Sequence, residues 1–495
     1  MTATRNAPRD ADRAGELARE LRRFLPAEAV LVEVEDLKPF ECDGLTAYRQ
    51  LPLLAVLPHT VEQVREVMRV CSREGVPVVA RGAGTGLSGG ALPLAGGVLL
   101  SLAKFNRILD IDRAARTARV QPGVRNLAIS EAAAPYALYY APDPSSQIAC
   151  SIGGNVAENA GGLHCLKYGL TVHNILELHV VSVDGDLLTI GSGALDSAGY
   201  DLLAVMTGSE GLLGVIVEVT VKLLARPTCA RLLLAAFDNV EAAGSAVGKI
   251  IAEGIIPGGL EMMDNFAIRA TDEFCGAGYP IDAAAILLVE LDGTEEEVAE
   301  QVARVRGMLE SCGASEVRAA RDDAERQRFW AGRKAAFPAA GRLSPDYYCM
   351  DGTIPRRELP KVLTRMDELS RHYDLPVMNV FHAGDGNLHP LILYDANVPG
   401  AIEKVEEFGA RILDLCVEVG GTISGEHGVG VEKIEGMCTQ FSAPELAQFH
   451  ALKRAFDEAG LLNPGKAVPT LARCAEIGGM HVHGGKLPFP DLERF

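Results

Sequence analysis

Apolar residues recur at helical spacing over residues 12–25, and again over Val61–Gly75. In the second stretch Thr60 stands as an N-cap, Glu62 and Glu66 fall in the early turns and Gly75 supplies the stop. Leu51–Leu57 before it is a continuous apolar run ended by Pro58. After it, VPVVA reads as a buried strand, followed by the glycine-rich run Arg81–Gly90 and a further strand, VLLSL. From Thr117 to Val219 the pattern is short strands, turns and one or two helices. LELHVVSVDG and GVIVEVTVKLL are rich in β-branched residues, and the first runs into a hairpin turn at Asp184-Gly185.

The texture changes after Arg226-Pro227. LLLAAF and AAILLVEL read as strands, and VEAAGSAVGKIIAEG and TEEEVAEQVARVRGMLESCG as helices. This β-α-β-β-α-β texture predicts a second domain with helices on one face of an antiparallel sheet. Residues 321–355 carry no clear period. Helices are predicted over 401–419 and 443–459, and the apolar runs LPVMNVF and LILY predict two strands joined by a Gly-Asp-Gly turn.

Composition narrows the function. The 495 residues are 48% hydrophobic, so a large core is available. The net charge of −19, from 47 basic and 66 acidic residues, argues against a nucleic-acid partner but leaves room for a local cationic pocket. Eleven cysteines run from Cys42 to Cys474 without a CxxC, which disfavours a zinc ribbon or an iron–sulfur cluster of the chain's own. The N-terminus lacks a signal-peptide pattern and no apolar run reaches 18 residues. The expectation is a cytoplasmic protein that meets the inner face of a membrane only peripherally or through partners.

Gly84, Gly86 and Gly89 match G-x-G-x-x-G. A nicotinamide-binding fold needs a helix to open there, and GALPLAGGVLLSL carries Pro93, Gly96 and Gly97 instead, so Asp110 downstream does not rescue that reading. A loop whose backbone amides cradle a pyrophosphate fits better, the alternative being a flexible surface loop. Two further clusters, Pro142–Gly162 and Gly208–Gly214, also read as loops beside strands and suit a long ligand held extended. The pattern resembles the FAD-binding domain of the vanillyl-alcohol oxidase / p-cresol methylhydroxylase superfamily. That resemblance implies that Arg81, Gly82, Ala83, Gly84, Thr85, Gly86, Leu87, Ser88 and Gly89 hold the pyrophosphate. It further implies that Pro142, Asp143, Ser151, Gly153, Gly154, Asn155, Asn159, Gly208, Glu210, Gly211, Gly214, Ile216 and Asn463 surround the rest of the cofactor. No histidine occurs in Arg81–Gly90, so the FAD is expected to be noncovalent.

In FHAGDGNLHP, His382 and His389 flank one short connection, and GGTISGEHGVG presents Glu426 and His427 between glycines. A lone histidine is ordinarily a hydrogen-bonded structural residue. Two histidines and a glutamate form a normal shell for zinc or a similar divalent ion, with a position left for substrate. His427 is the candidate base.

These two motifs, with Asn463-Pro464-Gly465-Lys466, resemble the C-terminal domain of the FAD-linked oxidases, which include the flavin subunit of glycolate oxidase, D-lactate dehydrogenases and D-2-hydroxyglutarate dehydrogenase. The resemblance runs from about Tyr48 to Thr470 and includes FWAGRK at Phe329–Lys334 and DYYCMDG at Asp346–Gly352. It implies that His382, His389 and Glu426 ligate a divalent metal, zinc or manganese, that His427 is the base, that Asn387 lies at the substrate and that Arg333 grips its carboxylate. A solvated helix position is the plain alternative for Arg333, and Arg342 is a second carboxylate candidate. A family lysine that assists with a longer diacid falls near Cys349 here, which favours a small monocarboxylate.

The expected fold is α+β: a two-part FAD-binding domain of the p-cresol methylhydroxylase type over 48–226, and an α+β substrate domain with an antiparallel sheet over 227–470. A helical segment precedes them over 1–47 and a tail follows over 471–495. The expected reaction is oxidation of a small 2-hydroxy acid, glycolate and also D-lactate, with electrons leaving through partner subunits, one of them iron–sulfur, or to quinone. The competing readings are a stand-alone D-lactate or D-2-hydroxyglutarate dehydrogenase, a flavin-free metal-dependent hydrolase, and a noncatalytic FAD-binding subunit. His481 and His483 in the tail could bind metal, although a mobile terminus is the simpler reading.

Overall fold

The structure is a computed structural model that describes residues 7–194 and 198–469, so the tail histidines lie outside the described residues. The first sheet contains Val30–Leu31, Leu54–Val56, Val98–Ser101 and Val78–Arg81 in that order, the last three parallel. The helix Val61–Glu74 is fixed at one end by a capping box between Thr60 and Gln63 and at the other by left-handed Gly75. Arg81–Gly90 therefore leaves one parallel strand and returns to its neighbour without the helix that a nicotinamide site requires. A second, five-stranded antiparallel sheet includes the hairpin Ile175–Val181 and Leu187–Gly191, as the Asp184-Gly185 turn predicts.

One expectation changes here. The cluster after Ser151 is not a loop beside a strand. It opens the helix Ile152–Glu158, which ends at left-handed Asn159. Gly153 serves close packing, since a Cβ there would press on Pro122.

The second domain is built on a seven-stranded sheet. Its order is Ala314–Ala319, Cys229–Phe237, Ala285–Gly293, Gly259–Asp264, Val377–His382, Asn387–Tyr394 and Asp346–Cys349, with every pairing antiparallel. Helices cover both of its faces, not one. Val240–Ala252, Glu295–Ser311, Leu359–Tyr373 and Ala401–Glu418 pack on one side. Asn265–Cys275, Asp323–Lys334 and Ala336–Leu343 pack on the other. The physical reason is visible in Ala285–Val289, where consecutive side chains are all buried: an unbroken apolar run marks a strand enclosed on both faces. The previously unread stretch supplies the two short helices and the edge strand Asp346–Cys349.

The chain finally returns to the first sheet. Leu462 bridges Val78, and the Asn463 side-chain amide donates to the carbonyls of Gly90 (2.9 Å) and Glu210 (2.7 Å). No helix among the described residues is long and apolar enough to cross a membrane.

A polar clamp fixes the two domains to each other. The His164 ring lies 2.8 Å from Asp143 and 3.2 Å from Glu290, and Lys167 donates to the Asp292 carboxylate at 2.6 Å. Burial pushes the His164 imidazole down, but the two carboxylates outweigh it and raise it from 6.5 to about 10. Glu290, also desolvated, is carried from 4.5 to about 2 by His164, Trp330 and Arg326. A raised imidazole stabilises the fold fully below its unfolded value of 6.5, and that contribution is lost as pH climbs through about 10. The thermal midpoint of wild type should therefore exceed that of His164→Gln most at pH 6.5, with the gap closing towards pH 10. A gap independent of pH would show that the clamp is not ionic.

Candidate active site

A cavity of about 380 Å³ lies between the domains, within the range of roughly 300–1,000 Å³ usual for ligand pockets. The first domain lines it with Arg81–Leu87, Ser151, Gly153, Gly154, Asn155, Glu210, Gly211, Gly214 and Ile216. Among the described residues, the backbone amides of Gly84, Thr85, Gly86 and Leu87 donate to no protein acceptor, as expected of a cradle for an anion. Gly84 is left-handed, and a Cβ there would collide with the Arg81 guanidinium. Arg81 itself is held by the Cys42 carbonyl at 2.7 Å.

The remaining expected cofactor residues stand behind this lining. The Ser88 carbonyl accepts the amides of Val431 (2.9 Å) and Glu432 (3.1 Å). Left-handed Gly89 abuts Val431. The Pro142 carbonyl accepts from Asn126, and Asp143 from His164. Asn159 holds the Val172 amide, the Gly208 amide donates to Val156, and Asn463 ties Gly90 to Glu210.

The second domain brings His389, Glu426, His427 and Arg333 to the same cavity. The register explains the convergence. Val380 pairs with His389 and His382 with Asn387, so the two histidines share one sheet face as diagonal neighbours, with ring centroids 5.0 Å apart. Continuing the Met262–Phe381 pairing by one residue sets Glu261 opposite His382. The Glu261 carboxylate lies 2.9 Å from His382 Nδ1 and 2.7 Å from Arg333 Nη2. Arg333 is 1% exposed, which removes the solvated-helix alternative. Arg342 is exposed, with its guanidinium over the Phe274 ring, and does not line the cavity.

The ligand atoms of His382, His389 and Glu426 all lie within 4.8 Å of one another. Glu426 Oε1 is 3.4 Å from His382 Nε2 and 2.9 Å from His389 Nε2, yet neither His389 nitrogen has a hydrogen-bond partner. Buried imidazole and carboxylate atoms converging in this way fit a divalent cation. The Glu261 brace on Nδ1 leaves His382 Nε2 free to face it. Cys349, His389 and His427 also approach one another. Burial holds the Cys349 thiol well above its ordinary range, and it donates to the Met350 carbonyl at 3.4 Å.

The Ser424–Gly428 loop is organised from beneath by Asp351, which is fully buried. Its carboxylate accepts from Ser424 Oγ (2.7 Å), the amides of Gly425 (3.0 Å) and His427 (2.9 Å), Asn387 Nδ2 (2.9 Å) and Lys433 Nζ (3.0 Å). Left-handed Gly428 lies against Glu158 and Glu210, where a Cβ would clash. Burial lowers the His427 imidazole to about 4, so it stands neutral and able to accept a proton. Asn387 Oδ1 is buried without a partner.

Sequence reasoning did not single out Glu261, Asp351, Lys433, Lys334 or Phe337. The readable signal for Glu261 was a carboxylate inside the apolar strand GLEMMD, because a buried charge demands a partner.

The family described as FAD linked oxidases, C-terminal domain, matches residues 226–467, and the FAD binding domain matches 52–191. The chain is 67% identical to the glycolate oxidase subunit GlcD of Escherichia coli strain K12 over 98% of its length and 97% of that protein. It is 32% identical to a D-lactate dehydrogenase of Anaerostipes hadrus over 91% of its length and 97% of that protein. The fold superimposes on p-cresol methylhydroxylase with substrate bound at a TM-score of 0.79 and 19% identity, covering 92% of this chain and 97% of the other.

Removing Lys433 would leave the buried Asp351 carboxylate without the cation beside it, held only by neutral donors. Lys433→Met should cost about 3–5 kcal/mol, whereas Arg371→Ala, which breaks the exposed pair with Asp367, should cost about 0–1 kcal/mol. Thermal midpoints of the two variants compare them directly, and equal losses would refute the organising role of Asp351.

Proposed function

The chain belongs to the FAD-linked oxidase family, and on that premise we propose that it oxidises a small 2-hydroxy acid, glycolate and also D-lactate, to the 2-oxo acid with the help of a divalent metal. The observation that carries this reading is the single cavity in which the glycine-lined cradle of the FAD-binding domain meets Arg333, His389, Glu426 and His427.

Arg333 binds the substrate carboxylate. Glu261 anchors the guanidinium from behind, so it approaches preorganised. His427 accepts the hydroxyl proton, its ring oriented by the loop that Asp351 holds. Asn387 is fixed through Nδ2 to Asp351, and its buried Oδ1 has no protein partner to satisfy it. His382, His389 and Glu426 would hold zinc or manganese, which would supply Lewis acidity beside the substrate hydroxyl. Bound FAD supplies the acceptor for the C2 hydrogen and its electron pair. We assign the FAD as noncovalent: the lining cysteine, Cys150, has its thiol raised by burial and contacts Asn155.

Reduced flavin must then be reoxidised. The sequence carries no CxxC for an iron–sulfur cluster of its own, which supports electron transfer to partner subunits, one of them iron–sulfur, or to quinone. The name of the Escherichia coli relative describes it as a subunit.

Lys334 favours a second reading. It adds a further cation to the cavity wall, one that suits a diacid such as D-2-hydroxyglutarate. Anaerobic spectra of the purified protein with glycolate, D-lactate and D-2-hydroxyglutarate separate the two. Rapid bleaching of the flavin band by the monocarboxylates is expected. Bleaching by the diacid alone would transfer the assignment to it. Glu261→Gln should weaken zinc or manganese binding about 10–100-fold in direct titration while FAD content is retained. Unchanged metal affinity would remove Glu261 from that role.

A further inference from the structure

We infer that Phe337 sets the upper size of the substituent at C2 of the substrate, an inference that rests on the hydroxy-acid reading above. The helices Asp323–Lys334 and Ala336–Leu343 are joined only by Ala335, which keeps right-handed helical backbone (φ −82°, ψ 0°), so the chain continues to turn. Arg333 lies in the last turn of the first helix and Phe337 in the first turn of the second. Both line the cavity shared with His389, Glu426 and His427.

The two polar ends of a 2-hydroxy acid are accounted for by Arg333 and by the histidine–glutamate cluster. What remains is the group on C2. Among the described residues, the second domain lines the cavity with charged and imidazole side chains and only two apolar ones, Phe337 and Pro338. Pro338 is exposed, whereas Phe337 is half-buried. The Phe337 ring packs edge-on against Tyr347, with centroids 5.9 Å apart and an interplanar angle of 72°, so its position is held from outside the cavity. Hydrogen or methyl at C2 fits beside a fixed ring. A longer chain must displace it and the Tyr347 contact with it.

The test is a comparison of glycolate, lactate, 2-hydroxybutyrate and 2-hydroxyvalerate, each chiral acid in the hand that lactate reveals as reactive. Flavin bleaching and kcat/KM are measured on the full-length FAD-loaded protein. In wild type kcat/KM should fall with each added methylene beyond lactate. In Phe337→Ala the 2-hydroxyvalerate-to-glycolate ratio should rise by about tenfold or more, while glycolate still bleaches the flavin. If that variant does not retain FAD, Phe337→Leu makes the same comparison with a smaller rise expected. An unchanged ratio in a variant that glycolate still reduces overturns the role of Phe337 and leaves the reaction assignment standing. A wild-type flavin that no 2-hydroxy acid bleaches overturns both.

Discussion

A buried carboxylate must be paired, and the site is organised by how this chain meets that demand twice. Asp351 and Glu261 are both fully enclosed. Neither could stay ionised in an apolar interior without several donors. Asp351 answers the requirement with Lys433 and the amides of the loop carrying Glu426 and His427. Glu261 answers it with Arg333 and His382. Each carboxylate thus ties a charged partner to groups that face the cavity. The cost of enclosing the charge becomes a restraint on the geometry of the site, because moving any of these side chains would strand an ion.

The two domains contribute different things to that site. The FAD-binding domain offers backbone, namely free amides on a glycine run with few side chains to obstruct a long ligand. The substrate domain offers side chains from strands and helices that pack on both faces of its sheet. Their relative placement therefore matters to within a fraction of a bond length. It is held by the His164, Lys167 and Tyr168 clamp onto Glu290 and Asp292, and by the return of Asn463 and Lys466 to Gly90.

Local patterns in the sequence carried much of this. The capping box at Thr60, the hairpin at Asp184-Gly185 and the histidine strands were legible because each is fixed by residues close in the chain. The convergence of His382, His389 and Glu426 was legible because glycine-rich loops with imidazole and carboxylate have few structural uses. Glu261 was not, because its meaning arises from a strand pairing across more than a hundred residues. Helices on both faces of the large sheet were missed although AAILLVEL already lacked alternation, the mark of a strand buried on both sides. The Ser151 cluster was misread because glycine was taken as a loop signal where it allows a helix to approach Pro122. Ser88, Gly89 and Asn463 entered the expected cofactor set through the motifs that contain them. The structure gives them contacts that join the FAD-binding loop to distant segments.

On the proposed reading, an acidic protein must admit two anions, a pyrophosphate and a hydroxy acid, to one cavity. The net charge of −19 works against this, and Glu158 and Glu210 lie on the wall itself. Desolvation resolves part of the conflict. Burial and the nearby Glu210 charge push the Glu158 carboxyl well above its ordinary range, and burial lifts Glu432 behind the wall to about 7. Carboxyls held at these values carry much less negative charge near neutrality than their number implies. Glu210 is lifted by burial as well, but it accepts the amides of Val429 and Gly430 at 2.7 Å, which directs its lone pairs into the backbone and away from the ligand. Arg333 and Lys334 then act in a cavity whose acids are largely muted, and a few cations suffice to make it attractive to anions inside an acidic protein.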